Sequence, residues 1–93
     1  MFVRLVRFTC NPGEHEAAQK VADELTPVIS EQPGCGGVWA FGDETSSDYG
    51  LVVIWDTEQH ANSAAQLVRP KMDELLSGRL KEPIEARLYP VLS

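Results

Sequence analysis

No apolar run in this chain approaches the ~20 residues that a membrane-crossing helix needs. Cysteine is nearly absent, with only Cys10 and Cys35 among 93 residues, too few for a disulfide framework. Basic residues are scarce as well. Eight Lys and Arg stand against fourteen Asp and Glu, for a net charge of -6. Nucleic acid is held by clustered cations, and the eight here are scattered, so nucleic acid is set aside as a partner. The same sign argues against anionic membrane surfaces. Only His15 and His60 offer imidazole, and no His or Cys stands four residues beyond His15, so no metal site is expected. The N-terminus, Met1 to Arg7, carries its charges inside the apolar run. A signal peptide places them before it, so the expected compartment is the cytoplasm.

What is present fits one domain over residues 1–93. A domain this small buries roughly two-thirds or less of the surface its unfolded chain exposes, so covering one face with a partner subunit would help it. Two helix-launch signals stand out. Asn11-Pro12-Gly13-Glu14 and Asp56-Thr57-Glu58-Gln59 each follow an apolar run, and each reads as a capping box. Pro12 would then be the first helical residue, where its missing N–H costs nothing.

Residues 2–9 alternate as a strand, with Phe2, Arg4, Val6 and Phe8 on one face and Val3, Leu5 and Arg7 on the other. The first helix carries an apolar stripe through Val21, Leu25 and Ile29, and Pro27 should kink or end it near Thr26. A second strand spans 36–42, a polar loop 43–48, and a third, almost wholly apolar strand 49–55, which should be central and covered on both faces. The second helix carries Ala61, Ala64, Ala65 and Val68, is interrupted at Arg69-Pro70, and stops at Gly78 in a left-handed turn. Residues 82–91 form a last strand whose two prolines, Pro83 and Pro90, place it at an edge.

Strand, helix, strand, strand, helix, strand is the order of an α+β, ferredoxin-like βαββαβ plait: a four-stranded antiparallel sheet with two helices on one face. Cys10 and Cys35 then lie at opposite ends of the sheet, as free thiols. The other sheet face, with Val3, Leu5 and either Trp39/Phe41 or Val38/Ala40, stays bare. An apolar face of that size is an association surface. The expected partner is a second copy of the chain, two sheets packing face to face as a dimeric α+β barrel.

Arg7 on the first strand, Asn11-Pro12-Gly13, Pro33-Gly34-Cys35-Gly36-Gly37 and Ile54-Trp55-Asp56-Thr57-Glu58 follow one another in an order that resembles the antibiotic-biosynthesis-monooxygenase (ABM) type of dimeric α+β barrel. The resemblance runs over roughly the whole chain. It implies a homodimer with a pocket in each subunit between sheet and helices. Some members oxygenate polycyclic phenols without a cofactor, others degrade haem, and relatives include isomerases and decarboxylases. The haem-degrading members place Asn, Trp and His where this chain has Val6, Ala64 and about Glu74. Many others have a His where this chain again has Ala64, and His60 is one turn earlier.

The candidate catalytic residues are His60, Arg4, Arg87 and Tyr89. His60 sits in a helix first turn, where the dipole disfavours the imidazolium and suits a neutral base. Arg4 or Arg87 offers a guanidinium fork for a carboxylate or phenolate, though either can instead pair with Glu85 or a partner's acid. Tyr89 offers a proton. Trp39, Phe41 and Trp55 are the candidate substrate walls for a planar organic ligand, and packing explains the same residues. His15 reads as a surface residue. Three readings of function follow. One is a cofactor-independent monooxygenase of a small phenol or quinol. Another is a non-catalytic dimer that binds a small molecule or serves as a structural module. An isomerase or decarboxylase of small organic acids is a third. A cavity of several hundred Å³ with two or more ionisable groups would favour an enzyme, and a filled, alanine-lined contact would favour the structural reading.

Overall fold

The computed structural model describes the whole chain, residues 1–93. It runs β1 (Phe2–Thr9), α1 (His15–Ser30), β2 (Cys35–Asp43), β3 (Asp48–Trp55), α2 (Glu58–Leu75) and β4 (Glu85–Pro90). The strands form one antiparallel sheet in the order β2-β3-β1-β4. This is the expected α+β plait, with the proline-bearing β4 at an edge and β3 inside.

The sheet's two faces differ in chemistry because side chains alternate along each strand. Toward the helices point Val6, Phe8, Tyr49, Leu51, Val53 and Trp55, all buried. They join Val21, Leu25 and Ile29 of α1 and Ala61, Ala64, Val68 and Met72 of α2 in one cluster of 16 buried residues. At about 25 cal/mol per Å² of apolar surface, this layer is the main source of stability. The opposite face carries Val3, Leu5, Val52 and Ile54, half-buried, together with Trp39, Phe41, Arg87 and Tyr89. The pairing Trp39↔Val52 resolves which residues of β2 lie there: Trp39 and Phe41, with Val38 and Ala40 on the helix side. No helix of the chain covers this face, so β3 is fully covered on its helix side only.

Both helix starts differ from the sequence reading. Asn11-Pro12-Gly13-Glu14 is a turn, not a cap. The Asn11 carbonyl accepts from the Glu14 N–H at 3.2 Å, and Gly13 has φ +86°. Pro then Gly at the two central positions is the composition a type II turn requires, so helix α1 begins only at His15 and its flanking Glu14 makes no side-chain cap bond. At α2 the cap is Thr57, whose hydroxyl accepts from the His60 N–H at 3.1 Å. Asp56 is taken by the His60 ring instead.

The two prolines do not end their helices. Pro27 and Pro70 both lie inside continuous helices and both face solvent. Each is flanked by buried anchors, Leu25 and Ile29 in the first case and Val68 and Met72 in the second. The lost backbone bond therefore falls on the wet side, where water replaces it, while packing holds the dry side. Gly78 is left-handed, at φ +74°, but it lies in the turn after the helix, closed by the Arg79 N–H to the Leu76 carbonyl at 3.0 Å, while the helix itself ends at Leu75. Both cysteines are free, Cys10 buried and Cys35 half-buried.

Candidate functional site

Helix α2 faces the sheet with alanines. Ala61 and Ala64 are buried at the helix–sheet contact, and their short side chains leave a cavity of about 200 Å³ between α2 and strands β1, β3 and β4. Trp55 closes one part of its wall, Met72 another, and Ala86 of β4 a third. The sequence left two outcomes open here, space or tight packing, and the structure shows space.

Into this apolar wall Arg4 brings a positive charge. It stands on β1 between Val53 and Leu88 in the ladder, both pointing to the helix side. Its Nη2 donates to Asn62 Oδ1 of α2 at 3.0 Å. Its Nε is shielded from solvent and has no hydrogen-bond partner. None of the molecule's ion pairs includes Arg4, and burial pulls its guanidinium below the usual arginine range. A partly desolvated cation with no counter-ion carries a cost, and an anion in the cavity would relieve it. Arg69 also reaches the lining, but its Nε is engaged with Asp73 Oδ1 at 3.1 Å.

The candidates named from sequence do not converge. Arg4 and Trp55 line the cavity. Arg87, Tyr89, Trp39 and Phe41 stand on the opposite face of the sheet, behind β1 and β3. Arg87 is paired there with Glu85, Nε to Oε1 at 2.6 Å, which is the structural pairing the sequence allowed for. His60 is outside the cavity too. Its Nδ1 lies 2.5 Å from Asp56 Oδ1, and the pair sits directly over Gly34, where an added Cβ would collide with both side chains. Gly34 also adopts φ +81°, so glycine is doubly required. The hydrogen bond from His60 holds the Asp56 carboxyl below the usual carboxylate range.

Sequence reasoning missed Asn62, the residue that holds Arg4. The signal was there in weak form, an amide on α2 next to Ala61 and three residues before Ala65, at the margin of the apolar stripe. His15, read as a surface residue, has a partner in Tyr49. His15 Nδ1 lies 3.1 Å from Tyr49 Oη, and both line a second cavity under α1. A tyrosine on the inner face of a central strand needs a partner for its hydroxyl, and His15 is the polar group that α1 brings there.

No family model matches the chain and no curated protein matches it. Solved structures do. A Nitrosomonas europaea protein named "Putative antibiotic biosynthesis monooxygenase" superposes with a TM-score of 0.87 at 15% identity, over 100% of both chains. One of the same name from Bordetella bronchiseptica gives a TM-score of 0.77 at 19% identity, covering 99% of this chain and 97% of that one. A further Nitrosomonas europaea protein, described as of unknown function, gives 0.84 at 17%, covering 99% and 89%. At such identities the likeness is one of fold. The chain has the ABM-type α+β fold.

Proposed function

We propose that the chain binds a small aromatic phenol or quinol in the cavity beneath α2, as its anion, and that it acts as a cofactor-independent monooxygenase on that molecule. The observation that carries the binding half is Arg4: a partly desolvated guanidinium, without a carboxylate partner, on the wall of an otherwise apolar cavity. An electron-rich ring fits the walls, and its oxygen fits the charge. The cavity of about 200 Å³ suits one ring better than several. The names of two structural neighbours support the oxygenation half.

The chemistry places one demand on the protein. The substrate itself supplies the electrons to O₂, and its anion supplies them more readily than the neutral form. A quinol that takes up one oxygen atom gives a hydroxyquinone, and the other oxygen atom leaves as water. Arg4 would favour the reactive anion by lowering the substrate's pKa. Neither His60 nor Tyr89 lines the cavity, so in this reading the proton goes to solvent, not to a protein base.

We further propose that the working form is a homodimer, joined through the sheet face that bears Val3, Leu5, Val52, Ile54, Trp39 and Phe41. Trp39 is 59% exposed and Phe41 44% in the single chain, and covering a face of this kind removes apolar area from water.

The test is oxygen uptake. Single-ring quinols, incubated with the protein above their spontaneous oxidation rate, should consume O₂ and yield the oxygenated quinone, and the Arg4→Met variant should lose that excess. No excess uptake, with the same quinols still raising the melting temperature, would leave binding without catalysis and support the non-catalytic reading.

A further inference from the structure

The second cavity, about 150 Å³, lies between α1 and the β2–β3 half of the sheet. It shares only Leu51 with the cavity that holds Arg4. Its polar lining is the hydrogen-bonded pair His15 and Tyr49, with Gln19 one turn further along α1. Its apolar lining includes the rings of Phe8 and Tyr49, stacked with centroids 5.7 Å apart.

The sequence makes this space deliberately. Tyr49 lies across the β2 strand at Gly42, where a Cβ would collide with its ring. Ala18 and Ala22 face it from α1 with the least side chain available. Tyr49 is 6% exposed, and its hydroxyl lies 3.1 Å from His15 Nδ1.

The pair has a fixed hydrogen-bonding capacity whichever way its proton lies. If the Tyr49 hydroxyl donates to His15 Nδ1, the imidazole Nε2–H remains a donor and the phenol oxygen keeps a lone pair. If a neutral His15 donates from Nδ1, the hydroxyl proton remains a donor and Nε2 an acceptor. Either way one donor and one acceptor are left over. Gln19 adds its carbonyl oxygen as an acceptor and a second N–H as a donor, since its Nε2 gives only one proton to Asp23 Oδ1, at 3.0 Å.

Charge selects further. No Lys or Arg lines this cavity. Burial raises the Tyr49 phenol above its usual range, with Cys10 and then Glu44 and Asp43 adding to the rise, so the phenol keeps its proton. An anion that Arg4 would attract finds no cation here to offset its charge.

We propose that this cavity is a second ligand site, for a small, flat, uncharged molecule bearing a carboxamide or an equivalent donor–acceptor pair, held by His15, Tyr49 and Gln19 against the Phe8–Tyr49 stack. It is independent of the phenol reading, since the two cavities differ in lining and in charge preference.

The probe is benzamide, with benzoate as its anionic match, followed through the backbone amide signals of the whole protein by NMR. Benzamide should shift Gln19, Ala22, Gly42 and Tyr49, and benzoate should leave those signals in place. Tyr49→Phe keeps the ring and removes the hydroxyl, and should weaken benzamide by about tenfold. Should Tyr49→Phe lose its fold, His15→Ala, on a half-buried helix start, should show a loss of the same order. Ala22→Leu fills the space and should abolish the response. Arg4→Met should not alter it. Absence of shifts around this cavity, equal shifts from benzoate, or unchanged affinity in both Tyr49→Phe and His15→Ala would overturn the assignment.

Discussion

Arg4 of the first strand and Asn62 of the second helix are joined by a 3.0 Å hydrogen bond that fixes a guanidinium at the wall of an apolar cavity. The amide satisfies one N–H and carries no charge, so the cation stays electrostatically available. A carboxylate at position 62 would take it instead. Asn62→Asp should leave folding intact, changing stability by no more than about 1 kcal/mol because position 62 is exposed. It should also weaken phenolate and benzoate binding by about tenfold, because the new acid occupies Arg4. Isothermal titration of both ligands, beside a urea unfolding curve, reads the two effects separately.

Ala64 is 5% exposed and borders the cavity beneath α2. Enlarging a side chain in a filled core costs typically about 1–3 kcal/mol. Here there is room for it. Ala64→Leu should therefore keep the stability of the parent chain within about 1 kcal/mol, while ligands that raise its melting temperature cease to do so. A loss of several kcal/mol on chemical unfolding would mean that the space is not there in solution.

The Asp56–His60 pair predicts an acid-side effect. Asp56 is held below the usual carboxylate range by its hydrogen bond from His60. A depressed folded-state pKa contributes stability that is present above the unfolded value, about 3.9, and is lost as the pH falls through the lower folded value. Wild type should exceed Asp56→Asn in stability at pH 6, and the gap should close as the pH drops below about 4. Unfolding curves of the two proteins across that range measure it. A gap that widens in acid would contradict the assignment.

The bare sheet face predicts self-association. Trp39→Glu places a charge among Leu5, Val52 and Phe41 on that face. Sedimentation should find the parent chain dimeric and the variant monomeric at the same concentration. A parent chain that stays monomeric would remove the barrel from the account.

Much of the fold was legible because it rests on periodicity. The alternation in residues 2–9 and the stripe through Val21, Leu25 and Ile29 each name an element and its faces, while the apolar run 49–55 names a central strand but not which face the helices cover. Boundaries were less legible. Asn11-Pro12-Gly13-Glu14 satisfies both a helix cap and a type II turn, and only the positive φ of Gly13 separates them. The local rule by which Pro27 kinks or ends its helix and Pro70 interrupts the other ignores which side of the helix faces water. The site was least legible. Strand alternation already put Arg4 on one face and Arg7 on the other, but β4 has no such clear pattern, so Arg87 and Tyr89 could not be assigned a face before the register Leu5↔Arg87 and Val3↔Tyr89 was known. The Arg4–Asn62 and His15–Tyr49 contacts join residues 58 and 34 positions apart, and no local pattern encodes such a distance.

The central claim is that Arg4 favours an aromatic anion in the cavity. The most direct measurement is the titration of bound 4-nitrophenol, whose anion absorbs at longer wavelength than its acid. Two influences oppose each other: the apolar walls raise the bound phenol's pKa, and the nearby guanidinium lowers it. The account predicts that Arg4 wins, so that the bound phenol ionises about 1 pH unit below the free one, and that Arg4→Met abolishes this shift. A bound phenol that ionises at or above the pH of the free molecule, or that behaves alike in Arg4→Met, would contradict it.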